Sequence, residues 1–178
     1  MAVALQRFVL ITGCSGGGKS TLIAELGRRG YSVVPEPGRR IVRAERASGG
    51  NALPWIDMAA FADRAIGMAR ADLADAANLP GPVFFDRGLI DAALAARTSG
   101  GTDVSNGELS SAYGRIVFVA PPWPEIRKPD PDRQLGMDAA ISEYDALCRL
   151  LPTLGYVPVE LPKTSPRERA DFVLARLP

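Results

Sequence analysis

The stretch Val9-Leu10-Ile11-Thr12-Gly13-Cys14-Ser15-Gly16-Gly17-Gly18-Lys19-Ser20-Thr21 decides the fold. An apolar run enters a glycine loop that fits G-x-x-x-x-G-K-[ST] and leaves through residues suited to a helix, the pattern of a phosphate-binding loop. Backbone N–H groups must curl around a phosphate chain there, so Cβ atoms are in the way and some positions need positive φ. Gly13, Cys14, Ser15, Gly16, Gly17, Gly18, Lys19, Ser20 and Thr21 are thus the candidate ATP-binding residues. Lys19 is placed to reach the β- and γ-phosphates, Ser20 to ligate Mg²⁺, and the positive end of the following helix adds to the field. Cys14 reads as a small loop residue, since nothing near it in sequence marks an activated thiolate.

Working outward, 178 residues suffice for one domain with a sizeable core, and the chain is expected to form a single domain over 1–178. The 21 Lys and Arg against 20 Asp and Glu leave no global basic field, which argues against nucleic acid and anionic membrane as partners. Two cysteines far apart in sequence offer neither a disulfide framework nor a zinc site, and a reducing cytoplasm fits best. No apolar run approaches the roughly 18 to 20 residues of a membrane span. With no histidine in the chain, imidazole bases and His metal sites are excluded, and carboxylates must handle protons.

Apolar runs alternate with helical patterns. Strands are expected at Arg7–Thr12, Tyr31–Val34, Val83–Phe85, Ile116–Val119 and Val157–Leu161. Helices are expected at Ser20–Arg29, Arg39–Ala47, about Pro54 to Ala77, Leu89–Arg97, near Glu108–Tyr113 and from about Met137 to Leu151. Ser165-Pro166-Arg167-Glu168 has the cap, N1 proline and N3 glutamate of a capping box and opens the last helix. About five strands joined by crossover helices imply an α/β three-layer sandwich, a parallel sheet covered by helices on both faces. Ligands then sit beyond the carboxyl ends of the strands, where Glu36, Asp86 and the segment after Val119 fall.

Those residues resemble the P-loop kinases of nucleosides and nucleotides. Thymidylate and deoxynucleoside kinases carry Glu-Pro at the end of the second strand and Asp-Arg or Glu-Arg at the end of the third; this chain has Glu36-Pro37-Gly38 and Asp86-Arg87-Gly88. The chain is also similar to a group of small predicted ATPases with a related domain. The resemblance implies a lid over about 121–136, rich in Arg127, Lys128 and Arg133, and an adenine site near Pro162-Lys163-Thr164. Pro35 stands where thymidylate kinases usually have Arg, and Arg39 and Arg40 lie near the place where deoxynucleoside kinases have Trp, so the acceptor stays open. Asn-Lys-x-Asp, which reads guanine in GTPases, is missing, and a full AAA+ motor would call for a second helical domain.

Phosphoryl transfer asks a protein mainly to position groups and neutralise charge. Glu36 is a candidate general base, or else a cap for the helix beginning at Pro37. Asp86 would hold Mg²⁺ through water or act as the base, or else cap the helix after Arg87. Arg87 would bind phosphate or hold Glu36. Arg127, Lys128 and Arg133 would close over the phosphates, or form a solvated, salt-bridged loop. Arg39, Arg43 and Arg46 fit either an anionic acceptor or an exposed helix face, and Trp55 and Phe61 either the acceptor pocket or plain core.

The expected activity is therefore an ATP- and Mg²⁺-dependent kinase acting on a hydroxyl or phosphate of a small, nucleoside- or nucleotide-like molecule. Its rival is an ATPase or nucleotide switch acting through a protein partner. The kinase requires a closed acceptor pocket between the Glu36 loop and the long helix near Trp55. The switch calls for an exposed apolar patch or an oligomer contact, and no buried carboxylate near the γ-phosphate. The sequence leaves the oligomeric state open.

Overall fold

The computed structural model describes residues 7–127 and 136–177. Five strands form one wholly parallel sheet in the order β2-β3-β1-β4-β5. They are β1 (Phe8–Gly13), β2 (Ser32–Val34), β3 (Val83–Asp86), β4 (Ile116–Ala120) and β5 (Val157–Glu160). The helices are α1 (Lys19–Arg28), α2 (Pro37–Ser48), α3 (Met58–Ala76), α4 (Leu89–Ser99), α5 (Asn106–Ser110), α6 (Met137–Thr153) and α7 (Pro166–Leu174). A short 3₁₀ turn at Pro124–Ile126 follows β4.

Side chains of β1 alternate between two cores, as the period of a strand dictates. Phe8 and Leu10, with Val34, Phe85, Val117 and Val119, pack under α2 to α6. Val9 and Ile11, with Phe84 and Phe118, pack under α1 and α7. The sheet is thus the middle layer of three, as the strand-helix alternation implies. α3 and α4 meet through Ala62, Ala65 and Ala69 against Ala92, Ala93 and Ala96, small residues that let the helix backbones approach. Across the sheet, α7 docks on α1 through Arg29, which donates to Asp171 at 2.6 Å and to the Arg167 carbonyl at 2.9 Å.

Element boundaries differ from expectation at one place that matters. The long helix begins at Met58 and not near Pro54, because Asp57 caps it, its carboxylate accepting the Ala60 N–H at 2.9 Å. Trp55 therefore sits on the turn before α3, outside the helical stripe. The capping box of α7 forms as expected: Ser165 Oγ accepts from Glu168 N at 3.3 Å, and Glu168 accepts from Ser165 N at 3.1 Å. Among the described residues no helix is long and apolar enough to cross a membrane.

Candidate functional site

β1 delivers the glycine loop at the centre of the sheet's carboxyl edge, and the loop's shape depends on its glycines. Gly13 has φ +108°, and a Cβ there would lie 2.4 Å from the Ala120 carbonyl oxygen of β4. Gly18, at φ +77°, ends the loop and precedes α1. Lys19 is buried, and its ammonium donates to the carbonyls of Cys14 at 2.7 Å and Gly13 at 3.2 Å, which aims it along the inside of the loop. Ser15 is buried at the mouth, while Ser20 and Thr21 are exposed at the start of α1. The Thr21 hydroxyl donates to the Gly18 carbonyl at 2.8 Å. Burial pushes the Cys14 thiol pKa up, in keeping with an inert loop residue.

Register places Asp86 beside Ile11, at the end of β3 next to the loop. Its Oδ2 accepts from the Ser20 hydroxyl at 2.9 Å, while its buried Oδ1 has no hydrogen-bond partner. Burial, and next to it the Glu36 charge, raise the Asp86 pKa. An orphaned carboxylate oxygen beside a loop hydroxyl suits a hydrated Mg²⁺, which keeps most of its waters and leans on one or two protein ligands. No group of three or more potential metal-ligating His, Cys, Asp or Glu is present among the described residues, so such an ion would depend on nucleotide phosphates for the rest of its shell. Asp86 does not cap α4. Gly88 occupies that position, and Asp91 Oδ2 accepts the Gly88 N–H at 3.1 Å.

Arg87 is the hub on this side. Its backbone takes φ +60°, unusual for a residue with a side chain, and its guanidinium turns back beneath the loop. Nη2 donates to the Gly13 carbonyl at 2.9 Å; Nη1 donates to Asp91 at 2.8 Å and to Glu143 of α6 at 3.0 Å. Nε lies 3.6 Å from Glu36 Oε1. Burial opposes the charge, but Glu143, Asp91 and Glu36 outweigh it and raise the guanidinium's pKa above its usual value. For Asp91 burial wins, and its carboxyl is raised despite Arg87. Thr12 also donates to Asp91 through a short hydroxyl bond.

Glu36 stands at the N-cap position of α2 but makes no side-chain cap bond. Its carboxylate instead faces Arg87 and Arg39, the latter at 3.5 Å. Beside it a cleft of about 220 Å³ opens between the Glu36 loop and the turn bearing Trp55. Its walls include Val42, Trp55, Met58, Phe61 and Ala92, and its polar end carries Glu36, Arg87, Asp91 and Glu143. Trp55 and Phe61 thus both line the cleft. Arg46 stacks over the Trp55 ring, 5.3 Å from its centroid, whereas Arg43 lies on the exposed side of α2.

A second, larger cleft of about 1330 Å³ runs along the glycine loop from Lys19 and Thr21 to Arg127 and Thr164. Ser15 and Arg39 line both clefts, so the two meet at the loop. Arg127 packs against Gly16, with its Cγ 3.0 Å from where a Cβ would stand, and donates to Met137 Sδ at 3.3 Å. Lys128 and Arg133, like the rest of 128–135, lie outside the described residues. Thr164 borders this cleft, at the end of the segment expected to meet adenine.

Three residues of the site were not marked in the sequence reading. Asp91 follows Arg87 by one helical turn, a spacing that could have revealed it. Glu143 lies 56 positions away with no local signal. Arg169 shares the buried stripe of α7 with Ala170 and Val173, and a charge on such a stripe was the available clue.

The fold and the loop define a P-loop α/β domain of the kind shared by phosphotransferases and ATPases. A family model described as an AAA domain matches residues 8–169, and the chain belongs to that family. Among curated proteins none matches it. Similar solved structures include a deoxyadenosine kinase from M. mycoides with bound dATP, at 15% identity and TM-score 0.63, covering 96% of this chain and 98% of that one. Another is a shikimate kinase from Acinetobacter baumannii in complex with shikimate, at 16% identity and TM-score 0.61, covering 98% and 95%. At these identities the likeness is one of fold.

Proposed function

We propose that the protein is an ATP- and Mg²⁺-dependent phosphotransferase acting on a hydroxyl or phosphate of a small molecule, with a nucleoside- or nucleotide-like acceptor as the leading class. The observation that carries this reading is the pair of clefts joined at Ser15 and Arg39, one along the glycine loop and one lined by Glu36, Trp55 and Phe61. A nucleotide switch has no use for a second cleft that joins the glycine loop and is lined by Glu36. The acceptor's flat, apolar part would lie between Trp55, Phe61 and Val42, with its reacting group toward Glu36.

Glu36 accepts the proton of the acceptor hydroxyl, and Arg87 holds that carboxylate in place while Asp91 and Glu143 fix Arg87. Lys19 and Arg127 face the phosphate chain from the loop and from the opposite wall. Ser20 and Asp86 would hold the Mg²⁺ ion, which when bound supplies charge for the transferring phosphoryl group. Arg133 is assigned to the same lid as Arg127 on its sequence position alone. The compartment we favour is the cytoplasm, from cysteine usage.

The test is a thermal-shift screen of metabolites with a non-hydrolysable ATP analogue and Mg²⁺ present. A true acceptor adds stabilisation by mass action, and the hit should then be phosphorylated when ATP is supplied. ATP hydrolysis that no acceptor stimulates, across nucleosides, nucleotides and hydroxy acids, would favour the switch.

A further inference from the structure

Arg169, on the first turn of α7, is the bulkiest fully buried side chain among the described residues, with 1% of its surface exposed. Its Nη1 donates to the Gly17 carbonyl of the glycine loop at 2.9 Å, and a Cβ on Gly18 would come within 2.6 Å of the same nitrogen. The Trp123 ring covers the guanidinium, 5.6 Å from its centroid. The remaining edge is different. Nε and Nη2 are buried and have no hydrogen-bond partner among the described residues.

Those two nitrogens carry parallel N–H bonds, the fork that grips two oxygens of a phosphate or carboxylate at once. No carboxylate is paired with Arg169 among the described residues, and burial pulls its pKa down to about 10. A buried cation without a counter-charge is unfavourable and persists where something else supplies the anion. Arg169 lines the larger cleft together with Gly18, Lys19 and Thr21, the residues of the loop's phosphate-binding face.

We infer that the free edge of Arg169 binds oxygens of the nucleotide's phosphate chain, so that α7 contributes a second cation to the nucleotide site and is tied to the loop when that site is filled. The inference rests on the larger cleft being the nucleotide site. The Trp123 ring and the Gly17 bond hold the guanidinium at the edge of the cleft.

The test measures ADP and adenosine binding to the full chain with Mg²⁺, together with the melting temperature without ligand, for the wild type, Arg169→Met and Arg169→Lys. Arg169→Met should weaken ADP binding by roughly 10- to 100-fold, the worth of a charge-assisted bond. Adenosine binding should change less than threefold, and the ligand-free melting temperature should hold or rise, because an uncompensated charge has left the interior. Arg169→Lys should fall between wild type and Met, keeping charge without the fork. If Arg169→Met binds ADP within twofold of wild type, the inference is wrong while the nucleotide site stands. If Met and Lys both lower the ligand-free melting temperature and lose ADP and adenosine alike, Arg169 is only a strut, and the inference is again wrong. A wild type that binds no nucleotide removes both this inference and the reading beneath it.

Discussion

Arg87 and Arg169 are both buried against the glycine loop, each donating to one of its carbonyls at 2.9 Å, Gly13 for the first and Gly17 for the second. Arg87 approaches from the side of α4 and α6 and meets Asp91, Glu143 and Glu36. Arg169 approaches from α7 and meets an indole face and two unanswered donors. The pKa shifts follow: raised where carboxylates outweigh burial, lowered where burial acts alone. Identical side chains on one loop are thus put to different ends. Arg87 is a fixed centre that orders carboxylates beside the smaller cleft, whereas Arg169 meets no carboxylate among the described residues.

The largest effect expected from this contrast is on stability. Arg87→Met would leave Asp91 and Glu143 without their arginine partner and Glu36 with Arg39 alone, and removing one partner of a buried pair costs about 3–5 kcal/mol. At about 2–4 °C per kcal/mol for a chain of this size, the melting temperature should drop by about 6–20 °C in calorimetry. Arg169→Met unpairs only the Gly17 carbonyl and no carboxylate among the described residues, so it should show no such drop. Equal losses in the two variants would erase the distinction.

Next is catalysis on the Arg87 side. Glu36→Gln keeps shape and hydrogen bonding but cannot take a proton, so phosphoryl transfer should fall by roughly 10²- to 10⁴-fold with nucleotide affinity unchanged. A coupled assay of ADP release with the acceptor reads this directly. Retained turnover with a lowered melting temperature would make Glu36 merely a counter-charge for Arg87 and move proton handling to Asp86.

Asp86 should give a smaller effect, seen in the metal dependence. Its raised pKa means that the ionised form a metal needs is lost at a higher pH than for an ordinary carboxylate. The Mg²⁺ requirement should therefore grow as pH falls through that raised value. For stability the sign is reversed: burial penalises the ionised form, so Asp86's contribution falls as pH rises from its unfolded to its folded pKa. Asp86→Asn should thus raise the Mg²⁺ concentration for half-activation about 10-fold and remove its pH dependence, without lowering the ligand-free melting temperature at neutral pH. Titrating Mg²⁺ at several pH values checks both.

How much of this was legible follows from the range over which each signal acts. The glycine loop, the strand-helix alternation and the Ser165 capping box are local patterns, and the structure forms them where the sequence places them. Glu36, Asp86 and Arg87 stood out because strand ends in a parallel sheet gather at one edge. The start of α3 was misplaced because Trp55 fits the apolar period while Asp57, three residues before Ala60, supplies the actual cap. Glu143 and Arg169 were illegible as site residues, since only tertiary packing brings α6 and α7 to the loop. Two short motifs could suggest a general base and a metal ligand. They could not show that one arginine is surrounded by acids and the other is not.

The smallest predicted effect asks which acid secures Arg87. Glu143 and Asp91 both raise the Arg87 pKa, yet the Glu143 side chain is 31% exposed, against 8% for Asp91. Water and salt screen a half-open pair, so proximity to Arg87 need not translate into stability. Asp91 is enclosed and also receives bonds from Thr12 and from the backbone N–H of Gly88. Glu143→Gln, which keeps an acceptor for Arg87, should therefore cost less than about 1 kcal/mol, with a melting-temperature loss of at most about 2–4 °C that shrinks in high salt. Asp91→Asn should cost more and respond little to salt, because its pair is shielded from solvent. Measuring both variants in low and high salt separates the two. A Glu143→Gln loss as large as that of Arg87→Met would mean that the reach of α6, and not the turn from Arg87 to Asp91, holds the buried guanidinium in place.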